Sequence, residues 1–268
     1  MKYMILGGRS YLGKSCSQFL TKNNKKVILL NEYNSDFYSP KKLKDILIKE
    51  KPNKIIDFKF PIVSSKDEDF NDINLETILS TQERIVESLN ELPENNADLY
   101  LISTININKR KNIYSKFKKK QEDFYKTFLL EKNNFKILRL ENVLGPGDVN
   151  TNRLVPYFFA QVFDNKRLSL NINSSKKGTY IFIEDCNKYI LNTSLNRNYS
   201  KTVFSLTYKD LIFRLSSILE FEYDINHKVL WNGQNIINKK IDKRDRTNRN
   251  LIKLTDWYLK NKERLRTG

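Results

Sequence analysis

Short apolar runs alternate with longer amphipathic stretches through the first half of the chain. The runs Tyr3–Leu6, Lys26–Leu30, Lys54–Phe58, Leu99–Ile102 and Lys136–Leu140 are short and nearly continuous in hydrophobicity, which predicts buried strands. Between them, Leu12–Thr21, Pro40–Glu50, Leu75–Leu89 and Tyr114–Leu130 carry helical patterns, the second opening on a proline at its first turn. Strand and helix in repeated alternation predict an α/β protein built on a doubly wound, mostly parallel sheet. From about Gly145 the pattern changes to GPGDVNTNRLVP, a Gly-, Pro- and Asn-rich connection into a smaller region. That region reads as a helix (Val155–Phe163), a strand (Thr179–Ile183), a helix (Tyr208–Leu219), a basic segment (Lys239–Arg249) and a terminal helix. No internal repeat is visible.

The 268 residues, with 16 Phe and 14 Tyr, supply enough apolar volume for a large core, which excludes a disordered chain or a disulfide mini-scaffold. The formal net charge of +17 favours anionic partners but does not choose among nucleic acid, acidic lipid and phosphorylated small molecules. The 35 Lys are spread along the chain rather than gathered in a tail, and they accompany 32 Asn, a pattern that a compositional bias explains as well as a function. Cys16 and Cys186 form no CxxC or Cys/His cluster, so a reducing compartment and no metal site are expected. The opening MKYMILGG is too short in apolar residues for a signal peptide, and no segment approaches a membrane span. A cytoplasmic protein without a membrane partner is expected.

Two motifs carry chemistry. Gly7-x-x-Ser10-x-x-Gly13 lies between the first strand and the first helix, where backbone N–H groups and a helix N-terminus can meet a pyrophosphate. In this reading Gly7 permits the tight turn, Gly13 permits close helix–strand packing, and Asn31 or Glu32 at the end of the second strand meets the adenosine ribose. The second motif is a Tyr and a Lys four residues apart, which share one helix face so that the ammonium can lower the phenol's pKa. Three pairs match: Tyr38/Lys42, Tyr114/Lys118 and Tyr258/Lys262. Only Tyr114 follows a strand that ends in hydroxyls, Ser103-Thr104, and a carboxyl strand end is where open α/β sheets bind ligand. Thr104 and Tyr114 are thus expected to converge on one substrate oxygen.

These residues resemble the extended short-chain dehydrogenase/reductase superfamily, in its nucleotide-sugar epimerase, dehydratase and reductase branch, nearly from end to end. ILGGRSYLG is similar to that family's glycine turn, KPNKIID to its third or fourth strand, LISTI to the strand bearing the Ser/Thr, and YSKFKKKQE to its Tyr-x-x-x-Lys helix with Glu122 following. Arg139-Leu140-Glu141-Asn142-Val143-Leu144-Gly145-Pro146-Gly147 is the most telling match, and NRLVP, YIFIED and TDWY follow in order. The resemblance implies a Rossmann-like dinucleotide domain over 1–147 with parts of 179–206, and a small substrate-binding region over 148–178 and 207–268. It implies that Thr104 orients the sugar oxygen, Tyr114 is the general acid/base, and Lys118 tunes the phenol and contacts the nicotinamide ribose. The cofactor, NAD(H) or NADP(H), would lie along Gly7, Arg9, Ser10, Tyr11, Leu12, Gly13, Asn31, Glu32, Asp57, Phe58 and Lys59. Glu32 would favour NAD, whereas Arg9 could meet a 2′-phosphate. The nucleotide sugar would meet Asn142 at its diphosphate and Asn152, Arg153 and Leu154 at its nucleotide.

Four features depart from the family's pattern: Ser10 replaces the middle glycine, Asp57-Phe58-Lys59 replace smaller residues, the link from Thr104 to Tyr114 is very short, and Gly178 stands where an Arg often binds the diphosphate. Lys176, Lys177 or the Lys243-Arg244-Asp245-Arg246 cluster could substitute for that Arg. Ile105-Asn106 follow Thr104 where family dehydratases carry Asp-Glu, which argues against dehydration, and the single His227 and the helical Cys16 supply no second acid/base pair. A 4-keto sugar reductase and a 4-epimerase remain, and the short C-terminal region favours the reductase. The alternative outside catalysis is a nucleotide- or RNA-binding protein, against which the complete Thr104, Tyr114, Lys118 set argues. A homodimer through 75–89 and 114–130 is expected, as is common in that family, with Ile78, Ile85, Phe117, Phe124 and Phe128 as surplus apolar surface.

Overall fold

The computed structural model describes residues 1–30, 40–59, 83, 87–88, 97–108, 113–129, 134–170, 175–194 and 200–266. Asn31, Glu32, Tyr38, Ile78 and Ile85 lie outside these residues. The chain divides into two compact units, Met1–Leu140 with Asn187–Ser200, and Glu141–Cys186 with Lys201–Gly268.

The first unit is built on five parallel strands, β1 (Lys2–Leu6), β2 (Lys26–Leu30), β3 (Lys54–Asp57), β4 (Asp98–Thr104) and β5 (Phe135–Leu140), in the order β2-β1-β3-β4-β5. Helices α1 (Tyr11–Lys22), α2 (Pro40–Glu50) and α3 (Ile113–Leu129) supply crossovers. Every residue of β3 and all but the first of β1 and β4 are buried, as expected of central strands covered on both faces. The chain passes from β1 to β2 on one side and returns as β3 on the other, so the winding reverses between β1 and β3, where Leu6 is paired with Asp57. Such a reversal opens a crevice at the carboxyl strand ends, the usual ligand position in these sheets.

Two devices bind α3 and the later chain to this sheet. The Glu122 carboxylate on α3, 1% exposed, accepts two hydrogen bonds from the Arg139 fork on β5, at 2.9 Å from Nε and 2.6 Å from Nη2. The buried Lys54 ammonium donates to the Thr193 carbonyl at 2.9 Å and Lys136 donates to Ser194 at 2.7 Å, so two cations engage carbonyls just past the end of α5 (Ile183–Asn192). Phe117 is 2% exposed and Phe124 packs on the core around Leu99 and Tyr125. The outward positions of α3 include Lys116, Lys119, Lys120, Asp123 and Thr127. Phe117 is therefore internal to the unit, and Phe124 is only partly exposed.

In the second unit, β6 (Asn142–Leu144), β8 (Lys177–Phe182) and β9 (Phe204–Thr207) form one three-stranded sheet, and β7 (Leu168–Leu170), β10 (Val229–Trp231) and β11 (Gln234–Asn235) another. Helices α4 (Leu154–Phe163), α6 (Tyr208–Tyr223), α7 (Arg246–Lys260) and α8 (Glu263–Arg266) complete it around Phe158, Leu215 and Leu254. The first unit stops at Leu140 rather than at 147, because β6 pairs with β8 instead of continuing the five-stranded sheet. The strand expected over Thr179–Ile183 begins at Lys177 and ends at Phe182. Ile183 starts α5, whose first turn carries Glu184 and Asp185 where the helix dipole favours acid. Among the described residues, no helix is long and apolar enough to cross a membrane.

Tyr258 is buried, stacked on Phe159 with ring centroids 4.2 Å apart, and its hydroxyl donates to the Asp148 carbonyl at 2.7 Å. Its place in the second-unit core makes it a packing residue. Tyr258→Phe should lower stability by about 1 kcal/mol in a urea melt. Glu122 gives a pH-dependent case. Burial alone would raise its pKa, but the hydrogen bonds from Arg139 and the charges of Arg139 and Lys126 outweigh burial and hold it below the usual carboxylate range. Its contribution is complete above the unfolded value of roughly 4.3 and is lost as pH falls through the depressed folded value. Glu122→Gln should cost about 1–2 kcal/mol at pH 7, the half-exposed Arg139 limiting the loss, and should flatten the acid limb of the stability–pH curve.

Candidate active site

The glycine turn is set by close approach. Gly7 has φ of +73°, and a Cβ there would lie 3.0 Å from the main-chain N of Lys59 and 3.0 Å from the carbonyl carbon of Phe58. Phe58 donates its N–H to the Leu6 carbonyl at 3.0 Å, so the chain leaving β3 crosses the chain leaving β1 at the switch point. A Cβ on Gly13 would come within 2.3 Å of the Gly7 carbonyl oxygen. Ser10, at the position of the family's middle glycine, is the N-cap of α1: its hydroxyl donates to Gly7 O at 2.8 Å and accepts from Gly13 N at 3.1 Å. The Leu12 N–H in the first turn has no acceptor within the helix, as helix geometry requires. Arg9 is exposed beside this turn, and Tyr11 and Leu12 are half-buried.

Thr104 ends β4 and is buried. Its hydroxyl oxygen accepts the Asn106 N–H at 3.2 Å, and the Asn106 carbonyl accepts the Ser115 hydroxyl at 3.4 Å. Asn106 therefore ties the strand end to the first turn of α3, next to Tyr114. Tyr114 is 38% exposed, whereas Lys118, one turn on, is 4% exposed. The Lys118 ammonium donates to the Ile102 carbonyl on β4 and to Gln121 Oε1, both at 2.9 Å. Burial pushes its pKa down to about 8, against the opposing pull of the Asp57 and Glu122 charges.

Asp57 was expected to line a cofactor, but its side chain is fully buried and engaged internally. One carboxylate oxygen accepts the Lys59 N–H at 2.7 Å and the other accepts the Tyr125 hydroxyl at 2.8 Å. Burial raises the Asp57 pKa, and burial with the Asp57 charge raises that of Tyr125. What borders the glycine turn is the main chain of Phe58 and Lys59. Gln121, Tyr125 and Asn106 were not singled out by the sequence reading. A signal existed for the first two: Lys118, Gln121, Glu122 and Tyr125 occupy i, i+3, i+4 and i+7 of one helix, the spacing of a buried stripe, filled with polar residues.

The second unit places the other expected residues as follows. The Asn142 side-chain amide donates to the Thr179 carbonyl at 3.0 Å, across the β6–β8 seam. Arg153, the residue before α4, donates to the buried Asp148 carboxylate at 3.1 Å, and the Asn152 N–H bonds to Asn150 Oδ1 at 3.0 Å; Leu154 opens α4. A Cβ on Gly178 would meet the Tyr180 hydroxyl at 2.5 Å, so the tyrosine covers the position where the family often carries Arg. Of the substitute cations, Lys176 lies over the Tyr208 ring, Lys243 pairs with Glu222, and Arg246 donates to both Asp185 oxygens at 2.7 Å. A cavity of about 290 Å³ is lined in part by Arg246, Arg249, Lys253, Glu184 and Asp185.

No protein-family model and no curated protein sequence matches the chain. Solved structures do. A UDP-glucose 4-epimerase of Thermotoga maritima, solved with UDP-glucose, superposes with a TM-score of 0.73 at 14% identity, covering 97% of this chain and 99% of that one. A GDP-mannoheptose C4 reductase of Campylobacter jejuni with NADP bound gives 0.71 at 12%, covering 96% and 98%. A dTDP-4-dehydrorhamnose reductase of Clostridium acetobutylicum gives 0.65 at 19%, covering 86% and 83%. The chain has the fold of these proteins.

Proposed function

We propose that this protein is an NAD(P)-dependent nucleotide-sugar oxidoreductase that reduces a nucleotide-linked 4-keto sugar. The observation that carries this reading is the arrangement at the carboxyl end of the first unit's sheet. There the hydroxyl at the end of β4, the Tyr114 turn tied to it through Asn106, and the buried ammonium of Lys118 accompany a glycine turn that only hydrogen atoms at positions 7 and 13 allow. A protein that merely bound nucleotides would have no need of that acid/base set.

The glycine turn fits a pyrophosphate, because the missing side chains open the main chain and the Leu12 N–H faces the helix N-terminal end. Gly7, Ser10, Tyr11, Leu12 and Gly13 would hold the cofactor, with Arg9 beside a 2′-phosphate if NADP(H) is used. When bound, the nicotinamide supplies or accepts a hydride. Thr104 orients the sugar oxygen, and Tyr114 passes its phenolic proton to that oxygen as negative charge develops on it. The Lys118 charge stabilises the phenolate left behind. Within the second unit, Asn152, Arg153 and Leu154 remain the proposed nucleotide contacts. Asn142, one of whose two side-chain N–H groups serves the sheet, would donate the other to the diphosphate.

The decisive assay supplies a nucleotide-linked 4-keto sugar with NADH or NADPH and follows loss of nicotinamide absorbance. Tyr114→Phe should reduce turnover by roughly 10²–10⁴ with cofactor affinity near wild type. Lys118→Ala should impair both. Gly13→Glu should abolish cofactor binding, and an unchanged titration in that variant would overturn the turn's assignment. Interconversion of 4-epimers without net consumption of reduced cofactor would replace the reductase by the epimerase.

A further inference from the structure

We propose that Gln121 is a positioning residue: it holds the Lys118 ammonium to the main chain of Lys59, so that the segment lying across the glycine turn also sets the place and proton affinity of that ammonium. The inference rests on the reading that Lys118 serves Tyr114, and it deepens that reading.

The amide of Gln121 is fully buried and has two neighbours of fixed character. Lys118 Nζ can only donate, at 2.9 Å, and the Lys59 carbonyl can only accept, at 3.4 Å. The amide oxygen must therefore face the ammonium and the amide nitrogen must face Lys59, an orientation dictated by the partners. Lys59 is held on its other side by Asp57, which accepts its N–H, and its nitrogen is the atom that a Cβ on Gly7 would strike. A continuous path of main-chain and side-chain contacts thus runs from the glycine turn through Lys59 and Gln121 to Lys118.

A neutral amide is the right group for this task. A carboxylate at 121 would turn an oxygen lone pair against the Lys59 carbonyl and would neutralise the charge that the phenolate needs. The carboxylates around Lys118 are engaged elsewhere: Asp57, from β3, by Tyr125 and Lys59, and Glu122, from α3, by Arg139. Among the described residues, Lys59, and Arg139 and Lys126 beside Glu122, are the other charged groups that act on this network. With Lys118 near 8, small changes in its acceptors move it across the working pH range.

The test reads Lys118 directly. In the full-length protein, the side-chain Cε and Nζ resonances of lysine are titrated by NMR, with Lys118→Met identifying the signal. Gln121→Met removes the acceptor at similar volume and should lower the Lys118 midpoint by about one to two pH units, the worth of a hydrogen bond to a charged group. Gln121→Glu should raise it by a comparable amount. The basic limb of kcat/KM should move in the same direction in each variant, a signature that mere loosening of the fold would not give. If Gln121→Met does not fold, Gln121→Glu alone decides. A Lys118 midpoint unchanged in the folded variants, or a kinetic limb that does not follow it, overturns the proposal. If the wild type binds neither NADH nor NADPH while the NMR midpoints shift as described, the tether stands and the catalytic reading of Lys118 falls.

Discussion

The first unit depends on the close passage of two main chains. The segment leaving β3 crosses the turn leaving β1 so closely that a Cβ on Gly7, itself at positive φ, would press on it, while the turn's own Gly7 carbonyl leaves Gly13 no room for a methyl group. This contact follows from the sheet order, since β1 and β3 are neighbours across the switch point and both end there. It leaves positions 7 and 13 without side chains beside the N-terminus of α1. Ser10 stabilises the turn from within, by capping α1 and bonding back to Gly7.

Beneath that crossing, α3 meets the sheet with a polar stripe where an apolar one would ordinarily form. Lys118, Gln121, Glu122 and Tyr125 are all buried, and such groups are tolerable only when each has a partner of the right kind. The partners come from other elements: the Ile102 carbonyl of β4, Asp57 and the Lys59 main chain after β3, and Arg139 of β5. The stripe therefore fixes the rotation of α3 about its axis more narrowly than hydrophobic packing would. That rotation decides where Tyr114, four residues before Lys118, emerges at the surface.

In the second unit, the absence of a side chain at Gly178 leaves space that Tyr180 covers while it stacks against Phe204 at 5.6 Å. The cations that sequence proximity offered as substitutes are drawn to local partners, Arg246 to Asp185 and Lys243 to Glu222. Arg249 and Lys253, one and two turns along α7 from Arg246, line the same cavity.

Much of the first unit was legible in the sequence, because strands buried on both faces announce themselves as continuous apolar runs and the crossover helices carry the opposite periodicity. The glycine turn was legible for a similar local reason: its spacing reports a steric requirement that operates within a few residues. The second unit was less so. Strands of two and three residues such as β6, β7, β10 and β11 have too little length to express a period, and they exist through partners far away in the chain. Position along the chain singled out Tyr114 among three equivalent Tyr–Lys pairs. Only the tertiary structure decided that Asp57 turns inward to Tyr125, that Gln121 bridges Lys118 to Lys59, and that Glu122 belongs to Arg139. Each of these depends on which residue of another strand lies opposite a given helix turn, and a hydrogen-bond partner brought from a distant segment leaves no periodic trace in a single sequence.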